Sequence, residues 1–241
     1  MNRISFEELL DDRTRTRAWE EFLAVAEVFD PLMVEEISCI IPIPDQLGVL
    51  IIAENEVFIN RYTAAVTLQQ FALAHHFPDY NILCSVLKDT GYFGKYKIPW
   101  VCPYFALCPL EGGTHSVWVN PLKIDNIYSV DGLHYIQLLN GIKLTSPVKR
   151  YYGVLRGELA CGILAAIRQE KFHFTMPGHR PIDYLTLPNT AFSHSLAKRP
   201  LLETFVTRKG ELHRRYQRAR FLHYYESLET DPQNLHWENW Q

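Results

Sequence analysis

The sequence predicts an α+β fold: mainly antiparallel strands, a capped helix after an Asn-Gly hairpin, and helical extensions at the N- and C-terminal ends. Three observations carry that expectation. Apolar residues make up 47% of the 241-residue chain, enough for a substantial core. The central apolar runs are short and broken by Pro and Gly, as strands are. Both ends instead place apolar or basic residues at helical spacing.

The first extension, residues 1–33, opens with Ser5 and Glu8 at capping-box spacing, followed by Trp19, Phe22, Leu23 and Ala26 at three- and four-residue intervals. That stripe needs an apolar surface, either the chain's own core or a partner. A mixed α/β core is expected over 34–171. Its first strands are Ile37 to Ile43, Gly48 to Ile52 and Glu56 to Asn60, with a hairpin through Ala53 to Asn55. Leu68, Phe71, Ala72 and His75 fit a short helix. Strands then follow near Ile82 to Leu87, Tyr104 to Cys108 and His115 to Asn120, the last two separated by the turn-forming Pro109 to Gly113.

Asn140-Gly141 lies between His134 to Leu139 and Ile142 to Thr145 and predicts a type I′ hairpin, whose two central residues need positive φ. Ser146 as N-cap and Pro147 at the first helical position then launch a helix to about Lys171. Its buried face is Leu155, Leu159, Ile163, Leu164 and Ile167. Gly153, Gly157 and Gly162 inside it each cost roughly 1 kcal/mol against Ala, so tertiary packing must hold it. Residues 172–241 comprise a Pro-rich loop to Pro200, a basic helix from about Leu201 to Tyr225, and an acidic tail.

The net charge of -3 conceals a segregation. Residues 1–142 carry 9 basic and 18 acidic side chains, residues 143–220 carry 15 and 5, and residues 221–241 carry none and 4. Such a basic block suits a polyanion, because phosphate contacts supply most non-specific nucleic-acid affinity. It also fits a solvated face that balances the acidic segment or docks an acidic partner. The opening stretch lacks a signal-peptide core and no apolar run approaches a membrane span, so a cytoplasmic address without membrane attachment is expected.

Cys39, Cys84, Cys102, Cys108 and Cys161 are scattered and lack CxxC spacing. They read as buried thiols. Pairing of Cys102 and Cys108 with His75 and His76 around a metal is the weaker reading, and no metal or cofactor is expected. No GxGxxG, Walker A, HExxH or GxSxG arrangement occurs. His115 and Ser116, neighbours on a strand, point to opposite faces and do not form a nucleophile pair. The chain is therefore not expected to be an enzyme.

Four pieces, in order, resemble a known family. Lys97-Ile98-Pro99 with Pro103 precedes Tyr104 to Cys108; Gly113 to Asn120 is a Trp-containing strand; Leu138-Leu139-Asn140-Gly141 leads into Ile142 to Leu144; a helix follows Tyr151-Tyr152. From about Lys97 to Glu170 the chain thus resembles the competence transcription factor (ComK) family, although Ala74 to Tyr80 lacks the arginine expected upstream. The resemblance implies an activator of competence (DNA-uptake) genes that binds A/T-rich promoter boxes, largely in the minor groove, as a homo-oligomer. A narrow A-tract groove attracts Arg and Lys and is discriminated by shape. Lys143, Lys149, Arg150 and Arg156 are then the candidate DNA contacts nearest the family core. Arg208, Lys209, Arg214, Arg215 and Arg218 form an auxiliary phosphate-binding set. The resemblance also implies a proteolytic adaptor, with Tyr184, Leu185, Leu187 and Pro188 as its candidate docking peptide; the alternative is that these residues pin a loop to the core.

Overall fold

The computed structural model describes residues 6–54, 56–94, 97–111, 115–171 and 178–230. A seven-stranded sheet contains β1 (Glu27–Val28), β2 (Cys39–Pro42), β3 (Val49–Ala53), β4 (Glu56–Asn60), β5 (Trp100–Val101), β6 (Ala106–Pro109) and β7 (Trp118–Val119) in the order β1-β4-β3-β2-β7-β6-β5. A three-stranded sheet orders β8 (Ile124–Val130), β9 (Leu133–Leu138) and β10 (Lys143–Thr145) as β10-β9-β8. Only β1, parallel to β4, departs from antiparallel pairing among these strands. The α+β architecture with mostly antiparallel sheets is as the sequence predicts.

Strands β2 and β3 are buried at every position because both faces of the large sheet are covered. Cys39, Ile41, Leu50 and Ile52 point into one apolar cluster; Ile40, Val49 and Ile51 point into the other, as the two-residue period of a strand requires. The first cluster takes Trp19 of α1 (Arg17–Val25). The second takes Leu68 and Phe71 of α2 (Ala64–Ala74), with Phe71 packed against Trp100 and Phe105. Leu83, Val86 and Leu87 of α3 (Tyr80–Thr90) and the apolar side of α4 (Arg150–Gln169) complete the first.

Several expectations need correction. Ile82 to Leu87 is helical: Asp79 accepts from the Ile82 N–H at 3.0 Å, and Ile82, Leu83, Val86 and Leu87 share the buried face of α3. Their one-, three- and four-residue spacing overrides the strand preference of Ile and Val. The helix after the hairpin starts at Arg150, not at Pro147. Ser146 Oγ accepts from the Val148 N–H at 3.3 Å in a separate turn, and Lys149 is the N-cap without a side-chain bond. The predicted buried face is also too narrow, since the second half of α4 is buried from Ala160 to Ile167 while Leu155 is exposed.

The Asn140-Gly141 hairpin joins β9 to β10, but only Gly141, at φ 85°, has positive φ, so it is not type I′. Gly141 N–H donates to Leu138 O at 2.9 Å, and Ile142 O accepts from Leu138 N–H at 2.8 Å. This is a three-residue loop with a left-handed glycine at its end. The two-residue type I′ geometry belongs instead to Asp131 (φ 51°) and Gly132 (φ 83°), between paired Val130 and Leu133 of β8 and β9.

The N-terminal extension is not purely helical, since it contributes β1, and it packs on the chain's own core. Leu10 bridges Leu144 of β10: its N–H donates to Lys143 O at 3.0 Å, and its carbonyl accepts from Thr145 N–H at 2.9 Å. Trp19 is fully buried, with Nε1 donating to Asp11 O at 2.8 Å. Beyond α4, α5 (Ala191–Leu196) packs on β8 and α4, and α6 (Pro200–Glu203) is a single turn. The predicted Leu201 to Tyr225 helix is thus two pieces: α6, then α7 (Glu211–Thr230) after Gly210 at φ 79°. Ser5, Asn55, Gly112 to Thr114 and the acidic tail beyond Thr230, on which other expectations rest, lie outside the described residues. No helix of the described residues is long and apolar enough to cross a membrane.

Candidate nucleic-acid interface

Helix α7 owes its position to two attachments. The Glu170 carboxylate at the end of α4 accepts from the N–H groups of Leu212 (3.1 Å) and His213 (2.9 Å), satisfying donors that a helix start leaves open. Leu212 is buried, Ala219 packs on the core, and the Tyr216 hydroxyl accepts from Asp79 N–H at 2.8 Å, holding α7 against α3. At 100° per residue the face opposite Leu212, Tyr216 and Ala219 carries Arg214, Arg218, Phe221 and Tyr225, all exposed.

Arg215 pairs with Glu211 one turn earlier at 2.9 Å, and Arg220 lies over the Tyr224 ring at 5.6 Å. Arg208 and Lys209 are exposed on the approach to α7, where Arg208 N–H donates to Glu211 Oε2 at 3.1 Å. Among the described residues, no ion pair joins any of these cations to an acid of the first 142 residues. The acidic N-terminal segment therefore does not neutralise the basic helix by contact.

The other predicted DNA contacts do not join this surface. Lys143 is half-buried on β10. Arg156 is half-buried and donates to Pro109 O at 3.3 Å, with burial lowering its pKa. Lys149 and Arg150 stand at the start of α4, whereas α7 is anchored at its end, so roughly 30 Å of helix separates the two sets. Arg150 donates to Ala191 O (2.9 Å) and Ser195 Oγ (2.8 Å), which brings it beside His194, Lys198 and Arg199 in an open groove. Sequence reasoning missed the last three because they lie more than 40 residues from Arg150 and share no period with it.

Tyr184 ends a 3-10 turn, Pro181–Tyr184, and is buried edge-on to Phe205 with centroids 5.5 Å apart. Its carbonyl accepts from Arg168 Nη1 at 2.9 Å; Leu185 and Leu187 pack on the core, and Pro188 O accepts from Thr190 N–H at 2.9 Å. The segment is pinned rather than displayed.

Ser116 Oγ staples the two sides of its loop through Glu111 N–H (3.1 Å) and Glu111 O (2.8 Å), while His115 is exposed, so the two point apart. His75 Nε2 bonds Pro31 O at 2.7 Å, and burial pushes the Cys102 and Cys108 thiols up to about 12. No protein-family model matches the chain, and no curated protein or solved structure matches it either.

Proposed function

We propose that the chain is a non-enzymatic, DNA-binding transcriptional regulator that grips duplex phosphates through α7 and its approach. The observation that carries this reading is the outward set of Arg208, Lys209, Arg214, Arg218 and Arg220, exposed and without carboxylate partners from the acidic segment. Arg214 and Arg218, one turn apart on one face of α7, can each meet a duplex phosphate and release counterions on binding. The resemblance of residues 97–170 to the competence transcription factor family supports a finer proposal: activation of competence genes from A/T-rich boxes, by a homo-oligomer. Lys149, exposed at the start of α4, would then meet a second stretch of backbone, one α4 length away.

Fluorescence anisotropy with A/T-rich and G/C-rich duplexes across a salt series tests this. Arg214→Ala/Arg218→Ala should reduce the slope of log affinity against log salt by about 2 and weaken all duplexes alike. Equal weak binding of both duplexes by the wild-type chain at moderate salt would remove the sequence-selective reading. A second reading, an interaction module whose basic half docks an acidic partner, is favoured by Phe221, Leu222, Tyr224 and Tyr225, exposed where the basic run ends. Scattered large apolar groups are ordinary, but four in one helical turn and a half suit a protein surface.

A further inference from the structure

A groove of about 470 Å³ opens between the first turn of α4 and the end of α5, lined by Arg150, Tyr151, Val154, His194, Lys198 and Arg199 among others. Its charges are unequally matched. Arg199 is committed to Glu158 at 2.6 Å, and that buried carboxylate is itself completed by the Leu201 N–H at 2.9 Å. Arg150 is fixed in place by neutral acceptors, Ala191 O and Ser195 Oγ, and Lys198 is exposed; among the described residues neither forms an ion pair. Among the described residues no carboxylate lines the groove, so Arg150 and Lys198 border it without a counter-charge there.

The rest of the lining is of a different kind. Tyr151 is exposed beside the nearly buried Val154, giving a flat ring and an apolar floor within one turn of Arg150. Arg150 is also held before any ligand arrives, which lowers the ordering cost of binding. The start of α4 adds the positive end of a 20-residue helix whose N-cap, Lys149, makes no side-chain bond to it.

We infer that this groove binds a phosphate ester carrying a planar ring, a nucleoside monophosphate or its like, with the phosphate between Arg150 and Lys198 and the ring against Tyr151. The site is separate from α7 and does not depend on the DNA-binding reading. Its chemistry has two sources, a free nucleotide or the backbone of nucleic acid, and the exposed Tyr151 ring over the apolar floor of Val154 favours the free molecule, whose ring is not already stacked in a duplex.

Isothermal titration of the full chain with AMP, inorganic phosphate and a duplex distinguishes them. AMP should bind saturably and about tenfold more tightly than inorganic phosphate, a margin of the size that ring stacking supplies. Lys198→Ala should weaken AMP about tenfold, the loss expected for one charge-assisted bond, and Tyr151→Ala should bring AMP close to phosphate. Both side chains are exposed, so neither substitution threatens folding, whereas Arg150→Gln would also loosen α5. Arg214→Ala/Arg218→Ala should leave AMP binding unchanged. Absence of saturable AMP binding, or AMP affinity indifferent to Lys198→Ala, overturns the proposal. Duplex binding weakened by Lys198→Ala without any AMP binding would assign the groove to the nucleic-acid backbone and overturn it equally.

Discussion

At the scale of single residues, the glycines of α4 show how the same substitution changes sign with surroundings. An added methyl at Gly157 would meet Leu196 Cδ2 at 3.1 Å, Pro121 Cβ at 3.2 Å and Phe192 Cζ at 3.3 Å, crowding from three sides. At Gly162 the nearest atom is Leu201 Cβ at an ordinary 3.7 Å. Gly157→Ala should therefore destabilise the chain by about 1–3 kcal/mol through overpacking. Gly162→Ala should stabilise it by up to about 1 kcal/mol through helix propensity. Denaturant midpoints of the two variants against wild type decide this, and a stabilising Gly157→Ala would contradict the packing described. That tertiary packing must offset three glycines in one helix was legible in the sequence. Which glycine touches what was not, because Pro121, Phe192 and Leu196 approach from distant parts of the chain.

At the scale of elements, the junction of α4 with α7 hangs on Glu170. Glu170→Ala removes the acceptor for two first-turn amides and should cost about 1–2 kcal/mol in α7 docking, read as faster tryptic cleavage after Arg214 and Arg215. Burial raises the Glu170 carboxyl above its ordinary value, against the lowering pull of the amides it accepts from. A raised folded value means that its contribution is complete below the ordinary carboxylate range and is lost as pH rises through the raised value. As pH rises upward from the ordinary carboxylate range, the wild-type melting midpoint should accordingly fall relative to Glu170→Gln, which cannot titrate. A difference between the two that is constant with pH would refute this linkage. Element types were legible wherever a period was long or a turn residue unambiguous, as for α2, β4 and the β9–β10 hairpin. They failed at α3, where the β-branched Ile82 and Val86 drew a strand reading despite the helical spacing of the four buried residues. They failed again near Gly210, whose left-handed conformation divides α6 from α7 inside one continuous basic run.

At the scale of the whole molecule, the charge segregation read from the sequence survives folding as an exposed cationic helix, because α7 meets α3 through Leu212, Tyr216 and Ala219 and leaves its arginines outside. The groove at the other end of α4 was invisible in one dimension: residues 150–154 and 194–199 become neighbours only once α5 docks. The Leu10–Leu144 bridge imposes an order of events on a chain that is still being synthesised. Leu9, Leu10 and Trp19 leave the ribosome early, yet the strand that closes over Leu10 is not complete until Thr145 has followed. Through that interval a sticky N-terminal segment waits for a partner well over a hundred residues behind it, and such distant closures slow folding. A fragment ending at residue 142 should consequently bind the dye ANS strongly and associate with chaperones, whereas the full chain should do neither. A fragment as silent as the full chain would mean that the early segment finds interim cover elsewhere.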